Sequence, residues 1–347
     1  MRHTIQFLLF ILFTALLVSC GSGTKGEQLF VIQTQGNKSE FQQNEAITLT
    51  IGNKKNKVIE KVTYTIDAKV LQAQNEKYPL DIKKLGNKTL TAKIEFEGSS
   101  VEVSKKIKIL APNPPEIYTY EIINEYPHDI NAYTQGLEFY KDTLYESTGQ
   151  KGKSSLRKVN FKTGEVLQQI NLDASYFGEG ITVLNQKIIQ LTWQSNIGFV
   201  YDVAHFEKID QFSYGESKEG WGLCNDGTKI YKSDGTEKIW ILNPDTLIEE
   251  DHIEIVTDKS IFNKANELEY VDGKIYANVY QKESMMIINA TTGAIEGVIN
   301  FGGLKEKVTQ HDALDVLNGV AYHPERKTFF VTGKNWDKLF EVHIKKK

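Results

Sequence analysis

The stretch Tyr176-Phe177-Gly178-Glu179-Gly180-Ile181-Thr182 decides how this chain is read. It sets one carboxylate between two glycines, ahead of an alternating strand that runs to Leu191-Thr192-Trp193. Four other places share its form: Thr134-Gln135-Gly136-Leu137, Gly220-Trp221-Gly222-Leu223, Asn266-Glu267-Leu268-Glu269 and Asn318-Gly319-Val320-Ala321. With Gly136, Gly180, Gly222, Glu267 and Gly319 as equivalent positions, the spacings are 44, 42, 45 and 52 residues. The residue before that position is Glu179 in one copy and Gln135, Trp221, Asn266 or Asn318 in the others.

Each repeat head is followed by two hairpins. Val271-Asp272-Gly273-Lys274-Ile275-Tyr276 carries an Asp-Gly tight-turn signal, and Val159 to Val166 and Ile288 to Gly293 are examples of the second hairpin. Four strands in such a period are the blade of a β-propeller. The fifth unit has one strand too few after Val331-Thr332-Gly333-Lys334, and the segment 117–125 is expected to supply it. That strand would close the ring against the C-terminal one and remove two exposed edges. The expected fold class is therefore all-β, a five-bladed β-propeller over 117–347.

Ahead of it, residues 29–110 read as alternating strands at 29–34, 46–51, 58–70, 89–96 and 101–110, separated by Gly/Asn/Lys turns. This pattern suits a small immunoglobulin-like β-sandwich. It has no Cys, Trp or His, which points to a spacer or adhesion module. Residues 111–116 are a linker, since Pro112, Pro114 and Pro115 cannot continue a sheet.

The first 20 residues have the form of an export signal: Arg2 and His3, an apolar run over 5–18, then Leu17-Val18-Ser19-Cys20-Gly21. The run of about 14 residues is shorter than the ~20 needed to span a bilayer. Leu-x-Ser-Cys resembles the bacterial lipobox, which implies lipidation of Cys20, a polar tether over 21–28, and a lipoprotein of the cell envelope at the periplasmic or outer-membrane face. Cys224 is then the one remaining cysteine, expected as an inert core thiol. A net charge of -4 and 25% charged residues give no basic surface for nucleic acid, and the lysines among residues 54–88 read as a solvated face. The 16 Tyr and 17 Phe against 3 Met suit sheet rather than helical bundle. The chain is expected to act as a monomer.

In a propeller the loops entering the innermost strands converge on one mouth of the channel. The repeat heads bring Tyr133, Gln135, Phe177, Glu179, Trp221, Asn266, Glu267 and Asn318 there, and the hairpin ends bring Trp193, Tyr280 and Lys334. One acid would stand among aromatics, amides and an ammonium. The seven histidines show no His-x-x-x-His and the cysteines no Cys-x-x-Cys, so a catalytic metal is not expected. His128-Asp129 and His311-Asp312 read as hydrogen-bonded turn residues. A structural cation in the channel is left open.

Tyr-Thr-Gln-Gly-Leu (133–137), Tyr-Glu-Ser-Thr-Gly (145–149), Phe-Gly-Glu-Gly-Ile-Thr (177–182), Leu-Thr-Trp (191–193) and Glu-Gly-Trp-Gly-Leu (219–223) resemble, in order, signatures of the plant and bacterial type of glutaminyl-peptide cyclotransferase. Ser-Asp-Gly-Thr (233–236), Asn-Glu-Leu-Glu (266–269), Leu-Asn-Gly-Val-Ala (317–321) and Val-Thr-Gly-Lys (331–334) continue the series. The resemblance covers about 117–347 and implies a five-bladed propeller that closes the N-terminal glutamine of peptides or proteins to pyroglutamate, with release of ammonia and no required cofactor. It gives Glu179 the role of proton shuttle, as base and then acid. Phe177, Trp193 and Trp221 become pocket walls, Gln135 and Asn266 holders of substrate amide or amine. Lys334 becomes an oxyanion contact or a salt-bridge partner of Glu179 or Glu267. Tyr280 departs from the pattern, standing where the family commonly has Trp. The alternatives are a lipid-anchored propeller that only binds or adheres, and a calcium-dependent lactonase, disfavoured because no acidic ligand cluster is evident.

Overall fold

The computed structural model describes residues 23–347. The export segment and Cys20 lie outside the described residues. Gly23–Leu29, which runs from the expected tether one residue into the first expected strand, is a short helix. The chain divides into two compact units. Of the described residues, the first holds 23–37, 47–78 and 89–106, and the second holds 38–46, 79–88 and 107–347.

The first unit is built of antiparallel strands. Phe30–Thr34 pairs with Leu49–Asn53, and Ile59–Ile66 pairs with Gly86–Phe96 and with Lys69–Val70. Alternation buries one face of each strand, so Phe30, Ile32, Tyr64, Ile66, Leu90, Ala92 and Ile94 form the core. The single strand expected over 58–70 is in fact a hairpin. Its turn, Asp67-Ala68, takes positive φ at both residues, the geometry of a two-residue hairpin turn, without the glycine that usually signals it.

In the second unit, Thr134–Tyr140, Gly178–Leu184, Leu223–Asn225 and Ala265–Val271 each begin an antiparallel four-strand run, as does Leu317–His323 with three. Glu116–Pro127 supplies the outermost strand of the last run, pairing antiparallel with Lys338–Lys346. It also makes a short parallel contact with Ile295–Asn300. The five first strands touch in cyclic order, the last returning to Thr134–Tyr140, so the ring is closed.

Apolar cores fill each gap between consecutive sheets. Tyr145 and Leu156 meet Ile181 and Ile188, and Ile189 and Leu191 meet Leu223 and Trp240. Cys224 and Ile239 meet Leu268 and Ile275, and Met285 and Ile299 meet Val320 and Phe340. The circuit ends where Ala321, Phe330 and Leu339 meet Leu137 and Leu144. Inner strands are thus covered on both faces, and all of Thr328–Gly333 is buried. Outer strands such as Glu207–Ser213 are largely exposed. Cys224 is buried, and burial pushes its thiol well up, as befits an inert core residue.

Glu341 clasps the ring where Glu116–Pro127 meets Lys338–Lys346. Its carboxylate is 1% exposed and accepts bonds from Arg326 (2.7 and 2.8 Å), Thr328 (2.8 Å), Asn124 (2.7 Å) and Tyr126 (3.0 Å). Burial works against its ionisation, but the donors outweigh it and pull the pKa down to about 2.

Candidate active site

At three of the repeat heads the innermost strands come so close that a Cβ has no place. On Gly136 it would lie 2.7 Å from the Ile181 nitrogen, and on Gly180 2.6 Å from the Trp221 oxygen. On Gly222 it would lie 2.0 Å from the Asn266 oxygen. This close approach explains the recurring glycine. The one copy without it, Glu267, is buried, and its carboxylate accepts the Leu137 N–H (3.2 Å) and the Val320 N–H (2.8 Å).

A second feature of the heads is invisible in the repeat. The register slips between Thr134 and Gly136, Gly178 and Ile181, Ala265 and Leu268, and Leu317 and Val320. Each slip is a β-bulge, which re-aims the side chains it contains. The bulges hold Gln135, Glu179, Asn266 and Asn318.

Tyr133, Gln135, Phe177, Glu179, Trp193, Glu219, Trp221, Asn266, Tyr280 and Lys334 line one cavity of about 450 Å³. Glu179 and the residues expected as walls or substrate contacts, Gln135, Phe177, Trp193, Trp221, Asn266, Tyr280 and Lys334, are among them. Two heads are not: Glu267 is spent on the backbone bonds above, and Asn318 lies behind Gln135. The Asn318 amide donates to the Thr134 carbonyl (3.0 Å) and to Gln135 Oε1 (3.1 Å). Held in this way, Gln135 turns its Nε2 to Glu179 Oε1 at 3.0 Å.

Aromatic rings form the walls. Phe177 meets Tyr133 and Trp193 edge-on, with centroids 6.2 and 5.6 Å apart, and Trp221 meets Tyr280 at 5.2 Å. The Lys334 ammonium sits 4.8 Å from the Tyr133 ring and 5.7 Å from that of Tyr280. No salt bridge joins it to Glu179 or Glu267, so neither ion pair expected for it forms. Tyr133 is fixed in turn by its hydroxyl, which donates to Asp315 at 2.7 Å.

Contrary to the expectation of a single acid, the cavity holds two, with opposite electrostatics. Glu179 is 5% exposed; burial pushes its pKa well above the ordinary carboxylate range, Lys334 opposes the shift and Glu219 adds to it. Burial also penalises a charged Glu219, but bonds from Gln194, Trp221 and Trp193 together outweigh it and hold that carboxyl below its ordinary value. Burial thus favours the neutral form of one carboxyl and the donors the charged form of the other, the kind of separation that acid–base chemistry uses. Burial likewise draws the Lys334 pKa down, against the pull of Glu179 and Asp315.

His128 is a buried structural residue, bonded to Glu146 at 3.0 Å and to the Trp336 carbonyl at 2.8 Å. His311 bonds the Asn335 carbonyl at 2.9 Å. Among the described residues, no three or more His, Cys, Asp or Glu side chains converge as a metal-holding group.

Comparison with known proteins adds an independent line. A glutaminyl-peptide cyclotransferase of Arabidopsis thaliana is 37% identical over 255 residues, which cover 72% of this chain and 76% of that protein. The crystal structure of Myxococcus xanthus glutaminyl cyclase superposes with a TM-score of 0.62 at 32% identity, covering 67% of this chain and 99% of the other. Residues 92–344 match the family described as Glutamine cyclotransferase. A sequence match of that extent, on an all-β chain that folds like a bacterial glutaminyl cyclase, places the protein in the glutamine cyclotransferase family.

Proposed function

We propose that this enzyme converts the N-terminal glutamine of peptides or proteins to pyroglutamate, releasing ammonia. The observation that carries the reading is the buried Glu179 carboxyl, bonded by Gln135 and with its pKa raised by burial, inside an aromatic cavity of a chain that belongs to this family.

The reaction joins the substrate α-amine to its own side-chain carboxamide carbon, and the C–N bond to the departing nitrogen breaks. Because both reactants belong to one residue, holding the folded conformer is much of the work. Phe177, Trp193, Trp221 and Tyr280 would pack the methylenes and exclude water. A free α-amine, with a pKa of about 7.7–8.0, is partly neutral near pH 8, so attack needs no strong base. Glu179 then moves two protons: one goes to the leaving nitrogen and one comes from the attacking amine, and the carboxyl is regenerated. Since burial favours the protonated form, Glu179 gives first and takes second, the reverse of the order expected from the sequence. Gln135 donates to Oε1, which leaves Oε2 to carry the proton. Asn266 and Lys334 are suited to the oxygen that becomes negative in the tetrahedral intermediate.

This scheme assigns no step to a metal. The expected result is ammonia release from a Gln-initiated peptide that is unchanged by a chelator and absent when the peptide's α-amine is acetylated. Loss of turnover on chelation would contradict the metal-free scheme, and no turnover with the free peptide would contradict the activity.

Three further readings belong with this one. The five runs of four strands are blades of a propeller, which the cyclic contact of their first strands supports, and the first unit is an immunoglobulin-like sandwich. The Cys20 motif would anchor the enzyme in the cell envelope through lipid. Cys20→Ser is expected to move the protein from the membrane fraction to the soluble one with turnover intact; an unchanged distribution would contradict the anchor.

A further inference from the structure

Glu219 opens the Glu-Gly-Trp-Gly-Leu stretch at 219–223. We infer that it is a positioning residue of the pocket: one carboxylate that receives both cavity indoles, fixes the walls around the substrate side chain, and sets a negative charge beside Glu179. The inference rests on the cyclotransferase reading for its kinetic consequences, though not for its structural ones.

Trp193 follows the strand Lys187–Thr192 of one sheet, and Trp221 stands in the loop ahead of Leu223–Asn225 in the next. Both indole Nε1–H groups nevertheless donate to the same atom, Glu219 Oε2, each at 2.8 Å. Gln194 Nε2 donates to the other oxygen at 2.9 Å. An indole has a single N–H, so this bond removes the rotational freedom that a half-buried ring otherwise keeps. Sharing one acceptor also limits how far apart the two N–H edges can lie. Bonds to a charged acceptor are roughly twice as strong as neutral ones, which suits a residue that must hold two large rings at a cavity edge.

The backbone that carries this carboxylate is anchored. The Glu219 carbonyl accepts a bond from Lys232 Nζ at 3.0 Å. That ammonium is fully buried, lies 4.0 Å from the Tyr214 ring, and is held by Ser217 and by Glu249 at 3.1 Å. Next along the chain, Gly220 passes where a Cβ would lie 2.5 Å from the Tyr214 hydroxyl. Trp221 is backed by Gly235, whose φ is +80° and whose absent Cβ would meet the indole at 2.6 Å. Ring face, N–H edge and loop backbone are each fixed by a different contact.

Position also gives Glu219 an electrostatic role. The charged group opposing it at Glu179 is Lys334, while burial raises the pKa of the Tyr133 and Tyr214 phenols, so that neither carries a charge at neutral pH, and Tyr280 lines the same cavity. Of the two charged groups acting on Glu179, Glu219 is the one that favours its proton.

Comparison of Glu219→Ala and Glu219→Gln separates the two roles. The protein has four tryptophans, and the other two indoles have their own acceptors, Asp234 for Trp240 and the Asp315 carbonyl for Trp336. In the ¹H–¹⁵N spectrum of the unliganded protein, Glu219→Ala is expected to shift the Trp193 and Trp221 indole signals and leave those of Trp240 and Trp336 in place. Glu219→Gln keeps an acceptor oxygen but loses the charge, so the same two signals move to higher field by a smaller amount. With a Gln-initiated peptide, Glu219→Ala is expected to raise KM by about 10- to 100-fold, more than it lowers kcat. Glu219→Gln restores most of KM while moving the pH limb that reports Glu179 to lower pH. If neither variant moves the two indole signals, the positioning role is wrong. An unshifted pH limb in Glu219→Gln would overturn the electrostatic role. If the Ala variant does not fold, the Gln variant's indole signals decide the first question. The indole readout needs no turnover, so it stands even where the cyclotransferase reading fails.

Discussion

Glu179→Gln is expected to lower kcat on a Gln-initiated peptide by about 10²–10⁴-fold, the usual contribution of a positioned acid–base group, with KM little changed. The substitution is nearly isosteric. A glutamine at this position can accept the Gln135 Nε2–H on its oxygen, as Glu179 Oε1 does at 3.0 Å, and place its own NH₂ where the carboxyl proton was. The aromatic contacts of Phe177 with Tyr133 and Trp193 do not involve the replaced atoms. Binding and fold are thus retained, and what is lost is a group that can both give and take a proton. Steady-state ammonia release with circular dichroism as a folding control checks this. Activity within about threefold of the unaltered enzyme would remove Glu179 from the proposed chemistry.

The second large effect is on stability. Lys232→Met is expected to destabilise the protein by about 3–5 kcal/mol, because removing one member of a buried ion pair leaves the other charge unpaired. Lys232 and Glu249 have side chains 0% and 3% exposed. Burial draws the Lys232 pKa down while Glu249 opposes the shift. For a domain of this size the melting temperature should fall on the order of 10 °C. Adding Glu249→Leu should recover much of that loss, since replacing both partners by apolar groups is often close to neutral. The single variant should also lose activity, because Lys232 holds the Glu219 backbone. A thermal melt within about 2 °C of the unaltered protein would show that the pair is not the support described.

How much of this could be read from residues alone is clearest at the repeat heads. The period of the Gly-containing heads and the need for one more strand at the C-terminal end were enough to expect a closed ring. The recurring glycine has a direct physical cause, the missing room for a Cβ on Gly136, Gly180 and Gly222. Two-residue periodicity, however, says nothing about bulges, which are a property of pairing between strands. Asn266 and Glu267 are neighbours in one bulge, yet Asn266 lines the cavity while Glu267 binds backbone N–H groups away from it. Both had been expected at the mouth. Asn318 was misplaced for the same reason.

Glu219 was overlooked because its role depends on partners in another sheet. The available signal was a carboxylate two residues before a tryptophan, in a chain that sends a second tryptophan to the same mouth, and it becomes decisive only once the two indoles are seen to share an oxygen. The hairpin at Asp67-Ala68 escaped notice because neither residue is glycine, though both take positive φ. Of the two roles expected for Lys334, oxyanion contact or salt-bridge partner, the ion pair does not form; the ammonium rests against aromatic rings and acts on Glu179 through its field.

The central claim is that the chemistry runs on a carboxyl held neutral by its surroundings. It is tested most directly by titrating the Glu179 carboxyl carbon in ¹³C-glutamate-labelled protein, with Glu179→Gln to assign the signal. The account predicts a midpoint well above the ordinary value of 4.5, falling when Glu219 is changed to Gln; a midpoint at or below 4.5 would contradict it.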